Sequence, residues 1–170
     1  MEEKPETTPV IIIVDDDPDD RFLAQLAFKE IGFHGELKLM EDGEALMHYL
    51  LRISIDDDHN SSQLPNLILL DLNMPNKNGY ETLQEMKNIA ELSYTTVVIW
   101  TTAIGDDDKK ECYRMGADMF LTKPTSYTDL LKNLRYLVEI YCSNSGNSYS
   151  LHENLKQGEV GRVKRMNLGS

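Results

Sequence analysis

Cysteine, tryptophan and long apolar runs are all scarce in this sequence of 170 residues. Its two cysteines, Cys112 and Cys142, form no C-x-x-C or metal-binding spacing, so we expect free thiols rather than a disulfide or a zinc site. The longest apolar runs, residues 10–14 and 67–70, are far too short to cross a bilayer. The sequence therefore predicts a protein that does not associate with a membrane.

Positive charge is also scarce, since 17 Lys and Arg stand against 29 Asp and Glu, for a net charge of −12 at pH 7. This balance opposes contact with the phosphates of a nucleic acid, and it favours cationic partners or bound metal ions. Residues 1–6 are acidic and contain no apolar signal-peptide core. We therefore expect a cytoplasmic protein that binds no nucleic acid.

What the sequence does contain is a regular alternation of strand and helix patterns. Runs of aliphatic residues predict buried strands, and apolar residues at helical spacing predict amphipathic helices. The predicted strands are 10–14, 36–40, 67–70, 96–101 and 118–122, and the predicted helices are 22–31, 44–51, 79–92, 109–115 and 127–141. Five such repeats with short connections predict an α/β fold, a doubly wound five-stranded parallel sheet with helices on both faces.

The helix patterns also predict which side chains face the core. The apolar stripe of the first helix is Phe22, Leu23, Leu26, Ala27 and Ile31, and that of the last helix is Leu130, Leu131, Leu134, Leu137 and Val138. The polar residues 54–64 are expected to form a surface insertion, and residues 143–170 a flexible tail. The predicted domain is therefore 1–142, with its core at about 9–141.

Polar side chains stand at the points where four of the predicted strands end. The acids Asp15 and Asp16 follow the first strand, Asp71 follows the third, and the fourth and fifth strands lead into Thr101 and Lys123. Because parallel strands present their carboxyl ends at one edge of the sheet, these groups should meet there. Crowded carboxylates repel one another, and a hard cation such as Mg²⁺, which prefers oxygen ligands, relieves that repulsion.

Such a pocket has the parts needed for phosphoryl transfer to a carboxylate. One carboxylate oxygen can attack phosphorus, while Mg²⁺, the Lys123 ammonium and the Thr101 hydroxyl stabilise the charge that develops on the phosphoryl oxygens. The product would be an acyl phosphate, which hydrolyses readily. That lability suits a reversible switch.

Each of these residues alone has a simpler interpretation. An acid after a strand commonly caps the next helix, as Asp17 or Asp19 would here, and a Lys-Pro pair commonly forms a turn. The acidic runs 56–58 and 106–108 are expected to be solvated loop charge or the first turn of a helix. The simultaneous occurrence of these groups at four strand ends favours a functional site.

Two other functions share parts of this pattern. A phosphohydrolase with an aspartyl nucleophile needs a second acid two residues later, where this chain has Asn73, which cannot donate an acid proton. A nucleotide-binding domain needs a glycine-rich loop after the first strand, where this chain has an acidic run. Both alternatives are disfavoured.

The motifs together resemble the receiver domain of two-component response regulators. They are the strand and acids at 10–18, Leu-Leu-Asp-Leu-Asn-Met-Pro at 69–75 with Asn78-Gly79, then Thr101, and finally Lys123-Pro124. The resemblance covers residues 9–141 and implies a flavodoxin-like fold with strand order 2-1-3-4-5. It implies a phosphoacceptor switch that phosphorylates and dephosphorylates itself rather than an enzyme acting on other substrates.

The resemblance also assigns roles to single residues. Asp71 is the implied phosphoacceptor. Mg²⁺ would be bound by Asp16, Asp71 and the main-chain carbonyl of Asn73, with Asp15 acting through water. The groups that contact the phosphoryl group or switch with it would be Thr101, Thr102 and Lys123, Phe120 would be the signalling aromatic residue, and Pro124 would follow a cis peptide bond.

The insertion at 54–64, the Thr101-Thr102 pair and the end of the last helix resemble the single-domain receivers that act beside bacteriophytochrome-type histidine kinases. This likeness implies a phytochrome-type sensor kinase and a downstream protein as partners. The residues after Tyr141 are too few for a DNA-binding domain, so we expect no attached output domain. Tyr136 and Tyr141, both expected to be exposed, predict a homodimer through the fourth and fifth helices.

Overall fold

A computed structural model describes residues 8–55, 64–102 and 104–142. Strands and helices alternate throughout them. The strands are β1 (Val10–Val14), β2 (Glu36–Met40), β3 (Leu67–Leu70), β4 (Val97–Thr101) and β5 (Met119–Thr122). The helices are α1 (Pro18–Glu30), α2 (Gly43–Ile55), α3 (Gly79–Asn88), α4 (Asp106–Arg114) and α5 (Tyr127–Tyr141).

The five strands form one parallel sheet in the order β2-β1-β3-β4-β5, which confirms the predicted flavodoxin-like fold. Alternate side chains of a strand point to opposite faces of a sheet, so the central strands contribute to two cores. Ile11 and Ile13 of β1 pack in the core that includes residues of α1 and α5. Ile12 and Val14 pack in the opposite core, with residues of α2, α3 and α4.

Several element bounds differ from the predicted ones. The second helix continues to Ile55, because Ile53 is buried and extends its apolar face. The third ends at Asn88, since Ile89 adopts an extended conformation. The fourth begins at Asp106 rather than at residue 109, because acids in the first turn interact favourably with the helix dipole. Ser54 and Ile55, predicted to begin the surface insertion 54–64, thus belong to α2. Residues 56–63 of that insertion and the predicted tail 143–170 lie outside the described residues.

The buried face of α1 agrees only in part with the predicted one, since Ala27 is buried and Ile31 is half-buried as expected. Phe22, Leu23 and Leu26 are exposed, whereas the buried side chains of this helix are those of Ala24, Ala27 and Phe28. The small alanine side chains let the helix backbone lie close to the apolar core beneath it, and Phe28 fills the remaining space. The apolar residues Phe22 and Leu23 therefore face solvent.

Side-chain caps fix the starts of α1 and α3. Asp17 accepts a hydrogen bond from the amide of Asp19 at 2.8 Å, so the cap expected at one of these two acids is formed by Asp17. Asn78 and Glu81 form a reciprocal capping box at the start of α3.

Both cysteines are free thiols. Among the described residues, no helix is both long enough and apolar enough to cross a membrane.

Candidate functional site

The carboxyl ends of β1 and β3 bring Asp15 and Asp71 together. Val14 is paired with Leu70, and the amide of Asp71 donates to the carbonyl of Val14 at 2.9 Å, which fixes the register. Asp15 and Asp71 are buried, whereas Asp16 is exposed. One oxygen from each of these three carboxylates lies within 4.8 Å of the other two.

This donor set fits a hard divalent cation. It consists of carboxylate oxygens, two from buried side chains and one from an exposed side chain at the mouth of the pocket. Asn73 lies in the loop after β3, and its amide donates to Asp71 Oδ1 at 3.2 Å, so its main chain is held against the same carboxylate. The acids predicted at the strand ends could therefore hold a divalent cation.

Lys123 follows β5 and reaches across the pocket. Its Nζ atom lies 2.6 Å from Asp15 Oδ2, 2.8 Å from Asp20 Oδ2 and 2.9 Å from Asp71 Oδ2. Burial opposes the charge of the ammonium, but hydrogen bonds with the three carboxylates outweigh it and raise the pKa of Lys123 above its ordinary value. The ammonium thus stays charged beside Asp71.

Burial raises the pKa of Asp15, whereas it acts to lower that of Lys123. Its carboxylate is fully buried, and the loss of solvation raises its pKa, although Lys123 and the amide of Asp17 both favour the charged form. The Asp17 amide donates to Asp15 Oδ1 at 3.0 Å. A nearby cation therefore stabilises the charged form of the Asp15 carboxylate.

Thr101 ends β4 and is buried at the floor of the pocket. Its hydroxyl donates a hydrogen bond to Asp71 Oδ1 at 2.6 Å, and it accepts one from the side-chain Nδ2 atom of Asn73 at 3.4 Å. Thr102, the next residue, is exposed at the same edge of the sheet. The structure thus brings Asp71, Thr101 and Lys123 into direct contact.

The loop after Asp71 passes very close to the start of α3 at Gly79. The Gly79 amide donates to the carbonyl of Leu72 at 3.0 Å. A Cβ atom at position 79 would lie 2.2 Å from the Asp71 carbonyl oxygen and 2.7 Å from Leu72 Cα, which no ordinary side chain allows. Gly79 is required because the backbone that carries Asp71 occupies the space of a side chain.

The other two predicted residues are Phe120, in β5, and Pro124, just after that strand. Phe120 is half-buried against the core formed with α2, α3 and α4, and the Lys109 ammonium lies 5.2 Å from its ring centroid. The peptide bond before Pro124 is trans, so the expected cis bond is wrong. The trans form of an X-Pro bond is intrinsically favoured, by about 0.5–1 kcal/mol, and Lys123 contacts Asp71 with the bond in this form.

Two contacts of the pocket were not foreseen from the sequence. Asp20, in the first turn of α1, binds Lys123, and the Arg21 guanidinium donates to the main-chain carbonyl of Asp15. The sequence does indicate that the first turn of α1 lies near the pocket, because the helix that follows β1 must begin at the edge where β1 ends. Which residue of its first turn points into the pocket depends on how the helix packs.

A parallel sheet with an acidic pocket, a lysine and a buried threonine at its carboxyl edge defines a receiver-type phosphorylation domain. The sequence matches the family described as response regulator receiver domain over residues 11–135. The chain belongs to this family, whose members work in two-component systems.

Characterised relatives agree with this assignment. Response regulator Rcp1 of Synechocystis is 36% identical over 132 residues, 78% of this chain and 88% of Rcp1. The probable methanogenesis regulatory protein FilR2 of Methanothrix harundinacea is 32% identical, over 78% of this chain and 83% of FilR2.

Solved structures agree as well. The phosphorylated cyanobacterial phytochrome response regulator RcpA superposes with a TM-score of 0.71 at 29% identity, over 82% of this chain and 97% of RcpA. The Mn²⁺-bound form of Rcp1 superposes with a TM-score of 0.68 at 34% identity, over 80% of this chain and 96% of Rcp1. This chain is thus similar to phytochrome response regulators in sequence and in fold.

Proposed function

We propose that this protein is a phosphorylation-controlled switch that accepts a phosphoryl group on Asp71 from a sensor histidine kinase. The observation that carries the proposal is the surroundings of Asp71, whose carboxylate contacts both the Lys123 ammonium at 2.9 Å and the Thr101 hydroxyl at 2.6 Å. The same two groups can donate hydrogen bonds to the oxygens of a phosphoryl group on Asp71 and stabilise their negative charge.

In the transfer, an oxygen of Asp71 attacks the phosphorus of a phosphohistidine. The new O–P bond forms as the P–N bond breaks, and the electron pair of that bond remains on the imidazole nitrogen of the donor. Lys123 and Thr101 donate hydrogen bonds to the phosphoryl oxygens and stabilise their charge. Reaction of the acyl phosphate with water returns Asp71 and inorganic phosphate, which resets the switch.

Mg²⁺ is the proposed metal of the pocket. Asp16, Asp71 and the main-chain carbonyl of Asn73 would hold it, with Asp15 acting through a bound water. When bound, the ion neutralises the negative charge of the three carboxylates and of the incoming phosphoryl group. The Mn²⁺-bound structure of Rcp1 supports a divalent ion, and the oxygen-only donor set supports Mg²⁺.

The signal would leave the pocket through Thr101 and Phe120. A phosphoryl group on Asp71 adds about two negative charges, and Thr101 would follow them. Space beside the half-buried ring of Phe120 would then change, and with it the surface of α4, β5 and α5. A ligand shifts such an equilibrium only if it binds the two states unequally, and the phosphoryl contacts supply that difference.

The partners follow from the resemblance. We infer a phytochrome-type histidine kinase as donor and a cytoplasmic protein as target, because RcpA is a phytochrome response regulator. The receiver domain would comprise residues 1–142. Its own chemistry would be limited to phosphorylation and dephosphorylation of Asp71, with self-association through α4 and α5.

The test is phosphorylation by acetyl phosphate with Mg²⁺, followed by mass spectrometry. The natural sequence should gain one phosphoryl group, and Asp71→Asn, which keeps the shape but loses the nucleophile, should gain none. Asp107→Asn, which removes an exposed acid of α4, is the control and should be labelled normally. Labelling of Asp71→Asn at the level of the natural sequence would refute the assignment.

A further inference from the structure

We propose that Asp20 is a positioning residue, which holds the Lys123 ammonium beside Asp71 while a divalent cation and a phosphoryl group engage the other carboxylates of the pocket. The proposal rests on the function given above and extends it to a residue outside the metal-binding set. It is built on the contacts of one ammonium group with three carboxylates.

The ammonium of Lys123 has three N–H donors, and three carboxylates surround it. The Nζ–O distances are 2.6 Å to Asp15, 2.8 Å to Asp20 and 2.9 Å to Asp71. Asp20 belongs to the first turn of α1, and the Asp17 cap fixes where that helix begins. The position of its carboxylate is therefore set by a helix rather than by a loop.

Asp20 differs from the other two partners in one respect. Asp15 and Asp71 belong to the group of carboxylates that can hold a metal ion, together with Asp16, and Asp20 does not. A divalent cation bound there would draw on the oxygens that Lys123 now contacts, and it would repel the ammonium. Asp20 is then the partner of Lys123 that is not shared with the cation.

Because Asp20 does not bind the cation, it can keep the Lys123 ammonium beside Asp71, where the phosphoryl group would be bound. The Asp20 side chain is 37% exposed, and its Oδ2 atom lies close enough to bind Lys123. Without it, Lys123 would be free to leave the pocket once the cation is bound. The stabilisation of phosphoryl oxygens by Lys123 would fall accordingly.

Trp100 provides a direct reporter of this contact. It is the only tryptophan of the sequence, it is buried in β4, and the Lys123 Nζ atom lies 5.8 Å from its ring centroid. A cation over an indole face alters its fluorescence, so movement of the ammonium should change the Trp100 emission. The readout does not depend on phosphorylation.

The experiment compares Asp20→Ala and Asp20→Asn with Asp19→Ala. Asp19 is an exposed acid of the same helical turn, so its removal changes the net charge and the helix dipole equally. We expect Asp20→Ala to change Trp100 emission in the presence of Mg²⁺ more than in its absence, because Asp15 and Asp71 still contact Lys123 when no cation is bound. The same substitution should weaken binding of beryllofluoride in the presence of Mg²⁺ about tenfold, the effect of one charge-assisted hydrogen bond. Asp20→Asn, which keeps an oxygen acceptor, should lie between Asp20→Ala and the natural protein.

Mg²⁺ affinity without beryllofluoride should change by no more than about threefold, because Asp20 lies outside the metal-binding group and acts on the ion only at a distance. In a Lys123→Met background, Asp20→Ala should have no further effect on beryllofluoride affinity, since its partner is gone. An equal loss with and without Lys123 would overturn the proposal, as would equal effects of Asp19→Ala and Asp20→Ala.

Failure of this inference can be separated from failure of the proposed function. If the natural protein takes a phosphoryl group on Asp71 and both Asp20 variants match it in emission and affinity, Asp20 has no positioning role and the switch function stands. If the natural protein neither binds beryllofluoride nor is phosphorylated, the switch function fails. Unchanged Trp100 emission in both Asp20 variants would then overturn the inference as well.

Discussion

At Gly79 the start of α3 lies directly against the backbone of Asp71, the proposed phosphoacceptor, because glycine has no side chain. A Cβ atom there would lie 2.2 Å from the Asp71 carbonyl oxygen. Because this neighbour is backbone, Gly79→Ala must displace the strand end that carries Asp71. We expect a loss of about 1–3 kcal/mol in the free energy of unfolding, the usual cost of overpacking, measured by urea denaturation. Phosphorylation by acetyl phosphate should slow in parallel.

The control for this substitution is Gly105→Ala. Gly105 precedes α4 with a φ of −67°, and a Cβ atom there meets only Asp108 Oδ2, at 3.4 Å. Its effect on the free energy of unfolding should stay below about 1 kcal/mol, the cost of alanine in place of glycine at a helix N-cap. Equal stabilities of the two variants would mean that the loop after Asp71 moves aside without strain.

At the same scale, the sequence predicts some residues of the pocket and misses others for a physical reason. Asp15, Asp71, Thr101 and Lys123 come at strand ends, and parallel strands present those ends at one edge whatever the details of packing. Asp20 contacts Lys123 only because α1 is rotated so that this residue faces the pocket. That rotation is decided by packing.

Among the elements, α1 shows why its rotation could not be read from the sequence. The helix carries apolar side chains around most of its circumference, and the larger ones favoured the face of Phe22, Leu23 and Leu26. In the structure those three side chains are exposed, and the small residues Ala24 and Ala27 are buried, because a helix that lies close to the sheet has little room beneath it. Hydrophobic periodicity weighs side chains by polarity and not by the space available.

Two substitutions in α1 separate these faces. Phe28 is 2% exposed and packs against Phe33, with ring centroids 5.4 Å apart, whereas Phe22 is 57% exposed. Phe28→Ala should lower the free energy of unfolding by about 3–5 kcal/mol, because it opens a cavity in the core. Phe22→Ala should cost less than about 1 kcal/mol, since solvent already surrounds most of the ring.

Chemical denaturation of both variants provides the measurement, and each is the matched control of the other. The same residue type is truncated on the same helix, so helix propensity contributes equally. A greater loss for Phe22→Ala would restore the face predicted from the sequence and contradict the packing of α1 described above.

At the scale of the whole molecule, the pocket and the surfaces that can carry its signal lie on different parts of the fold. The acids lie at the carboxyl edge, and β5 connects that edge with α4 and α5. Tyr113 on α4 and Tyr136 on α5 are 46% and 49% exposed. Tyr141, expected to be exposed, is half-buried against the core beneath α5, and burial raises its pKa. The proposed self-association surface is therefore formed by Tyr113 and Tyr136.

We expect phosphorylation to promote a homodimer through this surface, because aromatic side chains supply much of the binding energy of protein interfaces. Light scattering should give a larger mass with Mg²⁺ and beryllofluoride than without them. Tyr136→Ala should weaken the dimer at least about tenfold, the loss of one interface hot spot. Tyr94→Ala, which removes a 94% exposed tyrosine from the segment before β4, is the matched control and should dimerise normally. A monomer under both conditions at high protein concentration would show that Tyr113 and Tyr136 do not mediate self-association.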